Sequence, residues 1–387
     1  MSVPINYNIR NLVQRKGTTL MTAIGIALTV AVLITAMALT AGLKSVFAGS
    51  GDPRQILVLR KGVDAELSST VSEESYQIIR RLPGIATTRD GEPMVSPEGV
   101  TVVNLPSVDS PDGMNVTVRG LLPIGLAMRN ITVTQGKMIS PGLRQVVVGE
   151  AIAKRYPDAR IGKQLRFGRG MWEVVGAFSA GDSAANSEIW ADLDQLRGDF
   201  DQQGGSSSLL VRTKSPSAMA ALGKTIQDDQ RLGSDVKSEK AYYADLTSAG
   251  APLQILGFSV AVIMAIGSAF AATNTMYAAV ARRSREIGTL RALGFGRAAI
   301  LQSFMIESIC LALLGGLIGV LITLPVNGLT TGVGSFVTFS ETAFKFKVGI
   351  GIILWGLLFA ACIGAVGGFL PAWSASRKTI LAAMRDI

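Results

Sequence analysis

The sequence has no histidine and only two cysteines among its 387 residues. Without histidine, the chain cannot use Ser-His or Cys-His catalysis, and it lacks the side chain that most often binds metal ions. Cys310 and Cys362 both lie in apolar runs, so we expect them to be small hydrophobic side chains buried in a membrane. The long mixed stretch over residues 44–250 contains no cysteine, which excludes a disulfide framework there.

Motifs that bind nucleotides or activate nucleophiles are missing too. No Gly-x-x-x-x-Gly-Lys-Ser/Thr segment occurs, so no phosphate-binding loop is predicted in this sequence. A Gly-x-Ser-x-Gly nucleophile segment is also absent. The acidic pairs Glu73-Glu74 and Asp228-Asp229 are typical of solvated helix faces. We therefore expect a non-catalytic chain that itself binds no cofactor and no metal ion.

Charged residues are absent from four long apolar runs of a chain that is 48% hydrophobic. Each run is close to or beyond the about 20 residues needed to cross the hydrocarbon core of a membrane. The first is longer than the about 7–15 apolar residues of a secretory signal, so we predict an uncleaved span. Before it, residues 4–16 carry apolar side chains on one helical face and basic ones beside them, which predicts an amphipathic helix on the membrane surface. The four runs are Gly17–Gly42, Leu253–Ala281, Ser308–Leu324 and Val348–Ala375.

The formal charge of +9 comes mainly from segments that flank these runs. Between Lys44 and Asp245, 24 Lys and Arg residues are balanced by 24 Asp and Glu residues. The excess lies in three short segments, Arg10–Lys16, Arg282–Arg297 and Arg377–Arg385. Because short basic loops stay on the cytoplasmic side, we predict that both termini are cytoplasmic and that the domain between the first two spans is outside. The pattern reports membrane orientation and gives no support for a nucleic-acid partner.

The region between the first two spans has the composition of an α+β domain. Short segments rich in Val, Ile and Leu, bounded by Gly, Pro or polar residues, predict strands, and Ser72 is typical of a helix N-cap. The length of about 200 residues favours two subdomains. The predicted fold class is therefore a membrane α-helical protein with four transmembrane helices plus an extracytoplasmic α+β domain. Predicted strands are Gln55–Arg60, Gly99–Val103, Asn115–Arg119, Gln145–Val148, Trp172–Phe178 and Ser208–Arg212; predicted helices are Ser72–Leu82, Gly149–Tyr156, Asp192–Phe200, Ser215–Gln230 and Ala241–Ala249.

These patterns divide the chain into nine segments. In chain order they are a cytoplasmic amphipathic helix (1–16), transmembrane helix 1 (17–43), a periplasmic α+β domain (44–250), transmembrane helix 2 with a stalk (251–281), a cytoplasmic coupling helix and loop (282–307), transmembrane helix 3 (308–330), an outer loop (331–347), transmembrane helix 4 (348–375) and a cytoplasmic tail (376–387).

A short polar island over residues 281–297 separates the second and third spans. It carries five arginines against one acid, Glu286, with apolar residues between the charges. Ile287, Leu290 and Leu293 recur at helical spacing, which predicts one apolar ridge, and Glu286 can pair with Arg282 four residues earlier. Gly294 and Gly296 then indicate a helix end and a turn. Two interpretations are open: a topogenic loop that contacts only lipid headgroups, or a docking surface for a cytoplasmic protein.

Taken together, the motifs resemble those of the FtsX/MacB-like permease subunits of ABC transporters, of the type VII arrangement, over essentially the whole chain. The family pattern of Glu-Ile-Gly followed by Arg-Ala-Leu-Gly is present at Arg285–Gly288 and Arg291–Gly294. Glu307 matches the acidic residue at the start of the third span. The tail departs from the family pattern, because Ile380 and Ala382 stand where proline and glutamate are frequent. Further matching segments are Asn11-Leu12, Leu20 with Gly25–Ala27, Val116–Gly120, Val147–Glu150, Trp172–Gly176, Pro371-Ala372, Ala375, Arg377 and Ala383–Arg385.

The resemblance implies a multi-pass protein of the bacterial inner membrane that transmits mechanical movement. In such complexes two permease subunits, here expected to form a homodimer, assemble with cytoplasmic ABC ATPase subunits that hold ATP and Mg. A periplasmic adaptor protein and membrane lipid are further expected partners. Glu307 is the expected interfacial acid, able to pair with an arginine of the island. The expected ATPase-coupling residues are Arg283, Arg285, Glu286, Ile287, Gly288, Leu290, Arg291, Ala292, Leu293 and Gly294.

For the function itself, the resemblance leaves three possibilities. The leading one is export of a periplasmic or outer-leaflet substrate, driven by ATP hydrolysis on a partner chain. The second is an FtsX-like mechanotransmitter that activates a cell-wall hydrolase, and the third is a lipoprotein-releasing permease. The length of the outer domain favours export.

Overall fold

The computed structural model describes residues 16–108, 110–202, 204–248, 251–335 and 338–378. The amphipathic helix predicted over 4–16 and nearly all of the predicted tail 376–387 lie outside these ranges and stay predictions. Helices and strands are numbered here in chain order.

Short helices alternate with strands through the middle of the chain, and long helices dominate its two ends. The helices are α1 (Lys16–Ala48), α2 (Glu73–Ile79), α3 (Pro123–Met128), α4 (Glu150–Arg155), α5 (Leu193–Asp199), α6 (Pro216–Asp228), α7 (Glu239–Ser248), α8 (Ala251–Arg282), α9 (Ser284–Ala292), α10 (Arg297–Thr323) and α11 (Ile350–Arg377). The strands are β1 (Gln55–Arg60), β2 (Val71–Ser72), β3 (Val95–Leu105), β4 (Met114–Leu121), β5 (Thr132–Gly136), β6 (Gln145–Gly149), β7 (Gln164–Phe167), β8 (Gly170–Ser179), β9 (Glu188–Asp192), β10 (Gly205–Ser206), β11 (Ser208–Arg212), β12 (Ser234–Ser238), β13 (Thr330–Gly334) and β14 (Glu341–Lys345).

The chain forms two compact units, and the first contains the apolar helices. Within the described residues, four helices are long and apolar enough to cross a membrane: Thr19–Ala48, Gln254–Arg282, Arg297–Val326 and Ile350–Arg377. The third helix begins at Arg297 rather than at Ser308, so much of the predicted coupling loop is already helical. The helix can start there because no proline or glycine interrupts the chain between Gly296 and the apolar run.

Three of these helices pack closely where glycine removes a side chain. A Cβ placed on Gly364 of α11 would lie 2.6 Å from the Cβ of Ala312 on α10, and one on Gly319 of α10 would lie 2.6 Å from the carbonyl oxygen of Ala27 on α1. Such approaches are the usual way in which membrane helices gain contact area. By contrast, a Cβ on Gly267 of α8 meets nothing within 4 Å. The sequence does not tell these two kinds of glycine apart.

The second unit, residues 42–251 and 330–344, is the predicted α+β domain. One ten-stranded sheet runs through it in the order β12-β1-β11-β3-β4-β9-β6-β8-β5, with β7 paired to β8. Neighbours are antiparallel except for the parallel pairs β4–β9 and β6–β8. Short strands β2 and β10 form a separate pair.

Both faces of the central strands are buried, which explains their continuous apolar sequences. In β6, Val146 and Val148 pack with Trp172 in one hydrophobic cluster, whereas Val147 packs with Phe178 in another. Successive side chains of a strand point to opposite faces, so the three consecutive valines Val146–Val148 can all be buried. A third cluster lies between β1, β11, α2 and α6.

Most local predictions for this domain are confirmed. Strand β1 and strand β11 have the predicted bounds, and the Oγ of Ser72 accepts a hydrogen bond from the amide of Ser75 as an N-cap. Strands β5, β7, β9 and β12 were not predicted, because each has only four or five residues, several of them polar, and so short a run gives a weak signal.

The predicted outer loop over 331–347 is wrong as a description of that segment. Residues 330–344 belong to the second unit and contain the paired strands β13 and β14. Glu341 is buried there. One of its carboxylate oxygens lies 2.6 Å from a guanidinium nitrogen of Arg155, and the other oxygen accepts a 2.5 Å hydrogen bond from the Tyr156 hydroxyl. A buried carboxylate needs such partners, which fixes the segment in the domain.

Candidate coupling surface

The polar island folds as a short helix with a defined beginning and end. Helix α9 starts directly after Arg283, which interrupts the helix of the second span. It ends in a glycine turn: Gly294 has φ +90°, its amide donates to the carbonyl of Arg291, and the Phe295 amide donates to the carbonyl of Leu290. This pair of bonds is a Schellman motif, which requires a left-handed residue that glycine adopts at little cost.

Arg283 joins three helices at the base of α9. It is buried, its Nη1 donates to Glu307 of α10 at 2.9 Å, and its Nε donates to Glu286 of α9 at 2.9 Å. Its guanidinium also lies 5.3 Å from the ring centroid of Phe304. The predicted pairing of Glu307 with an arginine of the island is therefore present, and the arginine is Arg283. A buried charge pair of this kind fixes the position of α9 on α10, since either charge alone would be costly to bury.

The predicted apolar ridge is wrong in one respect, because Ile287 is not on the surface. Its side chain is 1% exposed and packs with Ile300 and Phe304 of α10, and Gly288 is buried beside it. Leu293 is 69% exposed. Residues six apart differ by about 120° around a helix of 3.6 residues per turn, so Ile287 and Leu293 face different surroundings.

The other expected coupling residues divide between support and surface. Leu290 and Arg291 are half-buried, and a guanidinium nitrogen of Arg291 donates to the carbonyl of Ser376 in α11 at 3.1 Å. The exposed ones are Arg285, Glu286, Ala292, Leu293 and Gly294. These exposed residues form the candidate coupling surface, which presents Leu293 together with two small residues and one charge of each sign.

Supporting residues outside the island were missed by the sequence analysis. The ring of Phe304 lies beside the guanidinium of Arg283, and the carbonyl of Ser376 accepts the hydrogen bond from Arg291. The ammonium of Lys378 donates a 2.8 Å hydrogen bond to the hydroxyl of Ser284. Phe304 lies three residues before Glu307, so helical spacing could have placed both on the face that meets Arg283. Ser376, near the end of α11, and Lys378, directly after that helix, gave no comparable signal.

The outer domain holds a second polar centre, a buried ionic cluster around Arg119. The guanidinium of Arg119 is bonded to Glu66, Glu98 and Glu188, with five contacts of 2.8–2.9 Å. Burial alone would raise the pKa of Glu66 and of Glu188, but the charge and hydrogen bonds of Arg119 outweigh it and hold both pKa values below the ordinary range. Burial raises the pKa of Glu239, which lies 3.7 Å from Arg129 at the edge of the same cluster.

The arrangement of this cluster is structural in character. All of its carboxylates face guanidinium groups, and within the described residues no group of three or more His, Cys, Asp or Glu side chains could hold a metal ion. The expectation that this chain binds no cofactor stays a prediction.

Comparison with known families agrees with this division of the chain. A family model described as the MacB-like periplasmic core domain matches residues 19–229, and one described as the FtsX-like permease C-terminal matches residues 258–380. The chain belongs to the FtsX/MacB-like family of ABC-transporter permeases. It is accordingly an inner-membrane protein with an extracytoplasmic domain, and the candidate coupling surface lies in the FtsX-like part of this permease.

Several relatives of this permease are macrolide exporters by name. It is 28% identical over 232 residues to the macrolide export ATP-binding/permease protein MacB of Hahella chejuensis, covering 57% of this chain and 34% of that protein. The MacB of Burkholderia thailandensis is 31% identical over 215 residues, with 53% and 32% covered. The chain thus spans about a third of the length of these curated relatives. The periplasmic region of MacB from Actinobacillus actinomycetemcomitans aligns with a TM-score of 0.38 and 11% identity, covering 51% of this chain and 94% of that one.

Proposed function

We propose that this permease couples ATP hydrolysis on a cytoplasmic ABC ATPase to movement of its extracytoplasmic domain, and that the movement drives export of a periplasmic or outer-leaflet substrate. The observation that carries the proposal is the structure of α9: it presents an exposed leucine, Leu293, and is anchored to α10 by the buried Arg283–Glu307 pair. An anchored helix moves together with α10 when a partner pushes on it.

The partners follow from the same proposal. ATP and Mg are held by the ATPase, two copies of the permease form the membrane part, and a periplasmic adaptor completes the export path. Export is favoured over hydrolase activation and lipoprotein release because the relatives are named macrolide exporters. In this arrangement both termini and α9 face the cytoplasm, as the basic flanks of the spans indicate.

The test is a charge placed at the centre of the coupling surface. Burying a leucine side chain in a partner is worth roughly 1.5–3 kcal/mol, so Leu293→Asp should weaken ATPase binding at least about 10-fold. The tagged chain is purified from membranes of its own organism. The purified sample is then examined for a co-purifying ATPase that contains a phosphate-binding loop, and its rate of ATP hydrolysis is measured. Ile161→Asp, at a 42% exposed residue of the outer domain, is the matched control and should bind normally.

Two results would contradict the proposal. One is full ATPase recovery and hydrolysis with Leu293→Asp, which would leave α9 as a topogenic loop. The other is specific nucleotide binding by the purified permease when no ATPase is present.

A further inference from the structure

A groove opens in the outer domain between the last turns of α1 and helix α7. Its volume is about 380 Å³, and its walls are largely hydrocarbon, from Phe47 and Ala48 on one side and Ala244 on the other. Phe47 is held in place from behind, since its ring stacks on Tyr243 with centroids 6.4 Å apart. The groove is therefore a preformed apolar surface that water reaches.

Two lysines, Lys44 and Lys240, line the same groove, one from each helix. Both are exposed, and among the described residues neither has an ion-pair partner. Nearby carboxylates are engaged elsewhere. Glu239 is buried and accepts a 2.8 Å hydrogen bond from the Asp52 amide, and Asp245 is 3.0 Å from Lys237. Asp182 accepts a hydrogen bond from the Ser45 hydroxyl at 3.5 Å. The groove thus presents, beside its apolar walls, two lysines that form no ion pair within the part of the chain that the structure describes.

The level of the groove along α1 places it next to the membrane. Helix α1 has 33 residues, which at ~1.5 Å per residue is longer than the ~30 Å hydrocarbon core. Its run without charge extends to Leu43, and Lys44 is the first charged residue after it. A lysine just beyond the apolar run lies at the level of the lipid headgroups, where its stem covers apolar surface and its ammonium reaches phosphate.

We propose that this groove binds an anionic phospholipid of the outer leaflet. The lipid phosphate lies between the ammonium groups of Lys44 and Lys240, and part of one acyl chain lies along Phe47, Ala48 and Ala244. The groove volume of about 380 Å³ is in the range of small-molecule sites, which favours part of a lipid over a folded protein segment as the occupant. The proposal does not depend on the coupling function of α9.

The experiment measures lipid retention by the whole permease, purified in detergent and exchanged into bilayer discs of phosphatidylglycerol and phosphatidylcholine. Native mass spectrometry counts the lipids that remain after mild delipidation. Lys44→Gln/Lys240→Gln should retain phosphatidylglycerol at least 10-fold less than the native chain. Lys214→Gln/Lys224→Gln removes the same charge from two exposed lysines outside the groove and should retain it normally.

A filling substitution separates a lipid in the groove from a lipid held by charge alone. Ala244→Trp keeps both lysines but occupies the space for the acyl chain, so it should also lose the retained phosphatidylglycerol. In the native chain, a phosphatidylglycerol with a diazirine on its acyl chain should crosslink to residues 44–50 or 240–247.

The proposal is overturned by any of three results. These are equal retention by the groove and control lysine variants, equal retention of phosphatidylcholine and phosphatidylglycerol by the native chain, and full retention by Ala244→Trp with crosslinks elsewhere. The crosslink needs no variant, so the proposal stays testable if a substitution prevents folding.

Discussion

Replacing Arg119 by methionine should destabilise the outer domain more than any surface change. Arg119 is 3% exposed and is the common partner of Glu66, Glu98 and Glu188, which come from different parts of the domain. Methionine fills much of the arginine volume but leaves three buried carboxylates with their main counter-charge removed. Leaving a buried charge unpaired is one of the few changes that destabilise a protein by several kcal/mol.

The magnitude follows from the geometry. Breaking a buried ion pair costs about 3–5 kcal/mol, and a domain is stable by only about 5–15 kcal/mol. For a domain of this size, each kcal/mol corresponds to about 2–4 °C, so Arg119→Met should lower the unfolding temperature by about 6–20 °C. Because Arg129 still faces Glu98 at 2.5 Å, we expect the lower half of this interval if Glu98 keeps its charge.

The assay is thermal unfolding of the purified full chain in detergent, followed by near-ultraviolet circular dichroism. Arg160→Met is the matched control, since Arg160 is exposed in the same domain and surface changes usually stay within about 0.5 kcal/mol. If the unfolding temperatures of Arg119→Met and Arg160→Met agree within experimental error, the cluster does not hold the domain together and the reasoning fails.

Three further predictions concern pH, the β13–β14 segment and the membrane glycines. The pKa values of Glu66 and Glu188 are lowered in the folded state, so their contribution to folding stability is present above about pH 4.5 and is lost as the pH falls through the folded pKa values. Unfolding temperatures measured from pH 7 to pH 3 should therefore fall in the native protein and fall less in Arg119→Met, where burial raises the same pKa values. Parallel curves for the two proteins would contradict this. Glu341→Ala removes the carboxylate that contacts the Tyr156 hydroxyl and Arg155, so it should speed proteolysis within residues 330–345, whereas the exposed control Glu74→Ala should not. Identical digestion rates would show that Glu341 does not hold the segment. Gly364→Ala places a Cβ 2.6 Å from the Cβ of Ala312 and should destabilise the packing of α10 on α11. Gly267→Ala, with open space around it, should be neutral or stabilising. Thermal aggregation in detergent compares the two variants, and equal midpoints would refute the close-packing argument.

The sequence alone was sufficient for the elements whose signal is local. Four uncharged apolar runs predict membrane helices because a charge in the hydrocarbon core is costly, and the long helices of the structure cover nearly all of those runs. Strand β1 and the N-cap at Ser72 were predictable for the same reason, since their apolar run and capping hydroxyl act within a few residues. The island between the second and third spans was likewise identifiable from its arginines and glycines.

Tertiary structure decided which of these residues pack inside the protein and which lie on its surface. The spacing of Ile287 and Leu293 is compatible with one ridge, but α10 lies against α9 and buries the first while leaving the second exposed. Arg119, Glu66 and Glu188 are far apart in the sequence and resemble ordinary surface charges until the sheet brings them together. Residues 330–344 resemble a loop because their two short strands are stabilised by distant groups, Arg155 and Tyr156. Periodicity records the conformation of the local backbone, whereas the burial of a side chain depends on segments that fold against it from elsewhere in the chain.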